Sequence, residues 1–489
     1  MPMGRFEDPP RTDSHRESHA GSLSLEAEGS LRGALLRALR DGLRRPALPR
    51  IAKESYRRER FGELTLPLAT VLMEGGVVGV IADKIYAVSP FVLAGIAAIP
   101  MAANLTSFLW ARVAHGRRKV PLLVALQAAM VLGIGGIAFL PEGPIGAWQL
   151  IATMAVSRIL LGGMIAVRSL VWTLNYADSV RARVTSRLQL ITSAVVTVST
   201  LAIGAILDHD PALFPFVYAG GAAIAALGVI AIARIRLIGE EEHLAIERGS
   251  DPERSEAAAP WVAIREMFRA DPYYARYQLW QFGLGVSNMM TVPTSIYVVS
   301  RELETGYFTS LTLIMAIPAA LGALTLPLWA RYLDRVHIVR FRSRFSWLFC
   351  LSQALTFLGA LLGSIGLIAV ARIALGAAHG GGSLAWQLGH NDFATRDRVG
   401  LYMGLHVSLT GLRGCIAPFV GMALFAGWDG AEILGLRVPA FAGIGALEFG
   451  VAALLGLAAW IGFCQLERDM TDAGLVTRDG RSARKLTAG

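Results

Sequence analysis

Arg158-Ile159-Leu160-Leu161-Gly162, continuing through Ser169-Leu170-Val171-Trp172-Thr173-Leu174 to Asp178, Arg181, Arg183 and Val184, decides the fold because the chain contains it twice. Arg372-Ile373-Ala374-Leu375-Gly376 leads through Ser383-Leu384-Ala385-Trp386-Gln387-Leu388 to Asp392, Arg396, Arg398 and Val399. The spacing is 214 residues at three points (158 to 372, 172 to 386, 178 to 392) and 215 at the fourth (181 to 396). An arginine inside an apolar stretch is improbable, and two in register mark a fused duplication.

Two further pairs extend the repeat outward. Ile85-Tyr86-Ala87-Val88-Ser89 returns 211 residues later as Ile296-Tyr297-Val298-Val299-Ser300. Ala98-Ile99-Pro100 with Leu109-Trp110-Ala111-Arg112 returns as Ala316-Ile317-Pro318 with Leu328-Trp329-Ala330-Arg331, the second block shifted by 219 (109 to 328). Small drifts in offset mean that loop lengths differ while element order is kept.

Composition sets the class. Of 489 residues, 54% are hydrophobic and 17% charged, with mean hydropathy +0.49, too apolar for a soluble enzyme of this length. Apolar runs of ~20 residues, each long enough for a ~30 Å hydrocarbon core, recur from about residue 62. They place membrane helices at about 64–82, 90–110, 120–140, 147–174, 188–207 and 213–235, then at about 277–299, 306–330, 344–363, 365–388, 400–426 and 440–463. The expectation is an all-α membrane protein of twelve transmembrane helices in two pseudo-symmetric parallel six-helix bundles.

The net charge of +9 does not point to nucleic acid, because Lys and Arg cluster in short turns between apolar runs. Arg112, Arg117, Arg118 and Lys119, then Arg181, Arg183 and Arg187, then Arg331 to Arg344, then Arg396 and Arg398 fall on one side, while Lys84, Arg301 and Arg437 stand alone on the other. The positive-inside rule therefore predicts both termini in the cytoplasm, in the cytoplasmic (inner) membrane. The sequence divides into a polar tail over 1–61, bundles at 62–236 and 276–465, a charged cytoplasmic linker at 237–275 and a basic tail at 466–489. Within the first tail, Leu31, Leu35, Leu36, Leu39 and Leu43 against Arg37, Arg40 and Arg44 make a basic amphipathic stripe suited to an anionic leaflet or to an ordinary juxtamembrane tail. Cys350, Cys415 and Cys464 lie in apolar segments and have no disulfide or metal-ligand spacing.

Two six-helix halves in parallel topology joined by a polar linker resemble the major facilitator superfamily over about residues 62–465. Arg158-x-x-x-Gly162 is similar to that family's helix-4 motif, and His115-Gly116-Arg117-Arg118 is similar to its helix 2–3 motif, although Val113-Ala114 stand where the family has an Asp-Arg pair. The second half keeps Asp334-Arg335 without the following glycine. The helix-5 Gly-Pro signature of drug antiporters is absent, since 188–207 contains no proline; Gly414-x-x-Ala417-Pro418-x-x-Gly421 in helix 11 is a partial likeness. The resemblance implies a central path lined by helices 1, 4, 7 and 10, with two halves rocking around it.

Charges near the membrane centre cost ~2.5–3.5 kcal/mol on insertion scales, so such residues face protein or water. Glu74 is the carboxylate near the middle of helices 1, 4, 7 and 10. It either exchanges a proton or sits in a permanent salt bridge with Arg158. Arg158 and Arg372, related by the repeat, suit a carboxylate or phosphate, or else brace neighbouring helices. Asn288 on helix 7 offers polar lining, and His379 beside Gly380-Gly381-Gly382 is a proton relay, a solute contact or an interhelical hydrogen bond. Arg413 and Glu448 are expected to pair structurally. Arg112, Asp178, Arg181, Arg183, Arg331, Asp334, Asp392, Arg396 and Arg398 form a candidate gate at the basic turns, or simply signal topology.

The expected function is secondary active transport of a small solute by alternating access, with protons as the candidate coupling ion. Deep arginines (Arg158, Arg168, Arg372, Arg413) outnumber deep glutamates (Glu74, Glu448), which tilts the solute towards an anion or zwitterion. The alternative is a transporter-fold assembly factor or sensor that moves nothing, docking through the basic tail and the linker. No nucleotide loop, nucleophile elbow or metal cluster points to an enzyme or a cofactor. The partners expected are the solute, protons and membrane lipids, with no nucleic acid, and the chain is expected to act as a monomer.

Overall fold

In hydrocarbon every backbone polar group needs a partner within the protein, which restricts spanning segments to helices or closed barrels. In the computed structural model, residues 48–249, 260–394, 398–433 and 436–480 are described, and ten helices among them are long and apolar enough to cross a membrane. Two more complete the expected twelve. Helix 2, Pro90–Asn104, is short because the chain tightens at Leu105 and Thr106 before resuming as Ser107–Ala114; Pro100 inside it only withholds the bond to the carbonyl four residues earlier. Helix 7, Pro272–Tyr297, has the length but carries Gln278, Gln281, Ser287, Thr291, Thr294 and Ser295 as buried residues.

The remaining helices are helix 1 (Arg50–Tyr86), helix 3 (Lys119–Phe139), helix 4 (Pro144–Asn175), helix 5 (Asp178–His209), helix 6 (Pro211–Ile232), helix 8 (Tyr307–Leu333), helix 9 (Ile338–Leu361), helix 10 (Ile365–Leu388), helix 11 (Val399–Ala426) and helix 12 (Leu447–Asp472). A two-stranded ribbon, β1 (Ala431–Ile433) paired antiparallel with β2 (Leu436–Val438), lies between helices 11 and 12. The turns after helices 2, 4, 8 and 10 form the basic end of the bundle. Helix 10 runs unbroken through Gly380-Gly381-Gly382, which packs tightly against helix 8 and the rings of Phe345 and Phe349.

Helix 1 departs most from its sequence pattern. It begins at Arg50 rather than near residue 64, because Ala52, Ser55, Glu59, Gly62, Glu63 and Leu66 form one buried stripe while Lys53, Arg57 and Arg60 point outward. It is also not continuous: Arg50–Val71 ends, the backbone tightens at Met73 and Glu74, and Gly75–Tyr86 restarts with Glu74 as N-cap. The carbonyl of Leu72 freed by this break accepts from the Tyr218 hydroxyl at 3.0 Å, so no buried acceptor is abandoned there. Gly76 then comes so close to Met315 that a Cβ would lie 2.5 Å from its sulfur, which seats the upper piece of helix 1 against helix 8 of the other half.

The linker carries two helices, Glu240–Gly249 and Pro260–Ala270. The first docks on the turn between helices 2 and 3: Lys119 donates to Glu247 at 2.6 Å, the Gly116 N–H donates to the same carboxylate at 2.9 Å, and Arg118 meets Glu241 at 2.5 Å. Lys119, expected as a loop charge, is buried here. Burial works against ionisation of Glu247, but the bonds from Lys119 and Gly116 outweigh it and hold the carboxyl below its ordinary range. The basic stripe at 31–45 lies outside the described residues.

Candidate functional site

The break in helix 1 puts Glu74 opposite helix 4, where Arg158 Nη2 donates to its Oε1 at 2.8 Å. The pair is not sealed: the Glu74 side chain is 38% exposed and that of Arg158 11%. Two more rungs continue towards the basic end. Arg168 donates to Glu63 at 2.6 Å, with Thr192 of helix 5 donating to the other carboxylate oxygen, and the Arg168 guanidinium lies 4.6 Å from the centroid of the Trp172 ring. Trp172 Nε1 and the Tyr176 hydroxyl donate to Glu59 at 2.6 and 2.8 Å. Descending helix 1 through 74, 63 and 59 means climbing helix 4 through 158, 168 and 172, the register of two antiparallel helices.

Sequence reading placed Arg168 only in a charge count and did not single out Glu59 or Glu63. The available signal was their spacing of four residues, with Ser55 and Ala52 extending the same helical face. Trp172 belongs to the duplicated stretch, but its repeat mate Trp386 donates to Thr410 instead of to a carboxylate.

The second half uses its arginines differently. Arg372 is buried and donates to the hydroxyls of Ser295 and Thr356 at 3.0 and 3.1 Å; among the described residues it has no ion-pair partner. Asn288 donates to the Leu284 carbonyl and accepts from Gln353 of helix 9, so its amide is engaged inside the second bundle. His379 keeps an exposed side chain, its ring 6.0 Å from that of Phe349. The expected Arg413–Glu448 pair does not form. Arg413 donates to the Gln281 carbonyl and to Thr410, whereas Glu448, fully buried, accepts from Thr294. Their contacts on helix 7, Gln281 and Thr294, are ~20 Å apart along the helix axis, so the two charges lie at different depths.

At the basic end Arg181 donates to the carbonyls of Tyr176 and Thr173, and Asp392 accepts from the Ile338 N–H at 2.8 Å, both within their own half. Arg112, Arg183, Asp334 and Arg398 are exposed and Arg331 is half-buried. Arg396 and the side chain of Asp178 lie outside the described part.

The opposite end is closed by charges that the sequence left isolated. Arg301 Nη2 forms an ion pair with Asp83 at 2.5 Å and donates to the Val88 carbonyl at 3.1 Å, and Ser300 donates to the other Asp83 oxygen. Lys84 donates to the carbonyls of Ser300 and Thr305. Asp208, at the end of helix 5, accepts from the N–H groups of Tyr307 and Phe308 and so caps the start of helix 8 from across the interface. Both copies of the repeated block ending helices 1 and 7 thus meet at one closure.

The sequence matches the family model described as Major Facilitator Superfamily over residues 67–418. Among curated protein sequences none matches. Of solved structures, a D-xylose–proton symporter is similar at a TM-score of 0.61 and 12% identity, covering 85% of this chain and 98% of its own. A mutant of the nucleoside transporter NupG gives 0.60 and 10%, covering 84% and 99%. A POT family transporter in complex with 5-aminolevulinic acid gives 0.57 and 13%, covering 84% and 95%.

Proposed function

The chain belongs to the Major Facilitator Superfamily, and from that premise we propose that it is a secondary active transporter in which Glu74 and Arg158 form the coupling pair. The observation that carries the reading is the half-exposed Glu74–Arg158 contact, set where helix 1 is unwound. A carboxylate in a partly accessible ion pair has two stable conditions: ionised and bound to the arginine, or protonated and released from it. Protonation frees Arg158 for another anion, and loss of the proton restores the carboxylate that displaces that anion. Binding of the proton and of an anionic solute are thereby linked, each favouring the other, the logic proton-coupled co-transport requires.

The moving units are the halves at 62–236 and 276–465, rocking by alternating access in a cytoplasmic membrane with both termini inside. Closure through Asp83, Arg301, Lys84 and Asp208 is the arrangement of one of the two end states. An anionic or zwitterionic solute fits best, because Arg372 and Arg413 remain without carboxylate partners among the described residues.

The test is uptake into proteoliposomes across a panel of organic anions, amino acids and lipophilic cations, with and without a pH gradient. Glu74→Gln should lose accumulation driven by the gradient while retaining solute-for-solute exchange. Full pH-dependent accumulation by this variant would remove Glu74 from coupling. Absence of movement of any panel member, with no alternating accessibility of a cysteine at position 74 from the two sides, would favour the assembly-factor alternative.

A further inference from the structure

Glu59 and Glu63 stand one turn apart on helix 1, both buried, and they share one cation. Arg168 gives its ion pair to Glu63 at 2.6 Å, its guanidinium resting against the Trp172 ring. Glu59 receives only neutral donors: Trp172 Nε1 on Oε2 at 2.6 Å and the Tyr176 hydroxyl on Oε1 at 2.8 Å. The other charged and titratable groups nearby are turned elsewhere. Arg181 of helix 5 donates to the carbonyls of Tyr176 and Thr173, and the same helix otherwise presents Val184 and Leu188 to this cluster. Tyr56 of helix 1 lies 6.0 Å from the exposed Arg60, and Arg236, beyond helix 6, offers its carbonyl to Ser55 while its side chain is exposed.

Two buried carboxylates against one guanidinium leave one negative charge without a partner. Such a charge is neutralised rather than carried, and a proton is the smallest group that does it. Repulsion between like charges one turn apart on a helix acts in the same direction. The donors decide which oxygen takes the proton. An indole N–H only donates, so Oε2 of Glu59 is an acceptor in either state of the carboxyl. A hydroxyl both donates and accepts, so Tyr176 serves an ionised Oε1 or a protonated one without moving. Arg168 only donates, so the Glu63 oxygen that it meets has no such reversal open to it.

We propose that Glu59 is a proton-binding site in its own right, the proton sitting on Oε1 against the Tyr176 hydroxyl and exchanging with the basic end of the bundle. Arg168, its side chain 28% exposed, is where the cluster opens, and a guanidinium at this depth opens to water rather than to lipid. Glu74 stands 15 residues further along helix 1, ~22 Å at the rise of a helix, too far to pass a proton directly. The site therefore does not rest on the role assigned to Glu74, and helix 1 carries titratable carboxyls at two depths.

The test is infrared difference spectroscopy of the full-length chain in lipid vesicles as the buffer is taken from acid to alkaline. A carboxylic acid C=O band that disappears as pH rises is expected in the parent and in Glu74→Gln. It should be absent in Glu59→Gln, whose amide keeps the shape of a protonated carboxyl. In Tyr176→Phe the ionised carboxyl loses its hydroxyl donor, so the band should persist to a proton concentration about tenfold lower. Should Glu59→Gln fail to fold, Tyr176→Phe decides. An unchanged set of bands in Glu59→Gln, a Glu59 band that ignores pH, or a titration unmoved in Tyr176→Phe overturns the proposal. A second band lost in Glu74→Gln concerns the Glu74–Arg158 pair alone, so the two readings fail separately.

Discussion

The two halves bury arginine in opposite ways. In the first, Arg158 and Arg168 each meet a carboxylate on helix 1, at 2.8 and 2.6 Å. In the second, Arg372 and Arg413 meet only hydroxyls and a carbonyl. Arg158 and Arg372 descend from the same position of the duplicated chain, so the difference lies in what surrounds them. The repeat sets Glu74 opposite Gly285, and the space left by that glycine is taken by Arg413. Helix 1 and helix 4 of one half form a ladder of paired charges, whereas Arg372 and Arg413 of the other meet no carboxylate among the described residues.

The largest effect should come from breaking the pair that defines this contrast. Arg158→Gln leaves Glu74 alone and removes the guanidinium that would hold the anion, and gradient-driven uptake in proteoliposomes should fall by about tenfold or more, whereas the double variant with Glu74→Gln should recover stability in detergent, because no unpaired charge remains, but not uptake. Arg372→Gln removes no carboxylate's partner, so unfolding in detergent should show a loss within ~1 kcal/mol of zero. Next in size is Glu63→Gln, which strands Arg168. Removing one member of a buried pair costs ~3–5 kcal/mol; with Arg168 28% exposed, the loss measured by the same unfolding should be about 2 kcal/mol.

Asp83→Asn weakens the closure with Arg301 and should raise labelling of cysteines introduced just beneath that end by a few-fold, with little change in overall stability. The smallest effect concerns the linker. Glu247 titrates below its ordinary value when docked, so its contribution is fully present above about pH 4.5 and is lost as pH falls through the lower, docked value. Limited proteolysis of 240–249 should therefore accelerate only under acid, and Glu247→Gln should make it fast at neutral pH. Equal rates in the variant and the parent would detach Glu247 from docking.

Twelve helices, their duplication and the parallel relation of the halves were legible because they depend on run length and repeat spacing, both local to the chain. The pairing of Glu74 with Arg158 was legible as one of two options, since each is a conspicuous charge in an apolar run. Glu59 and Glu63 were not, because they precede the apolar run that begins near residue 64 and lie among Arg57, Arg58 and Arg60. Lys84 and Arg301 looked solitary for a related reason: their partners are the Ser300 and Thr305 carbonyls and Asp83, brought from the other half.

The amino-acid sequence by itself therefore determined how many helices there are, that they form two copies and which segments carry charge into the membrane. Tertiary structure alone decided where helix 1 breaks, that Arg413 turns to Gln281 and Glu448 to Thr294, and that Asp83 and Asp208 join the halves. The physical reason is geometric. Hydrophobic length is summed along one helix, but which side chain a charge meets depends on the rotation and crossing of two helices, set by small residues such as Gly76 and Gly285 that govern how closely they approach.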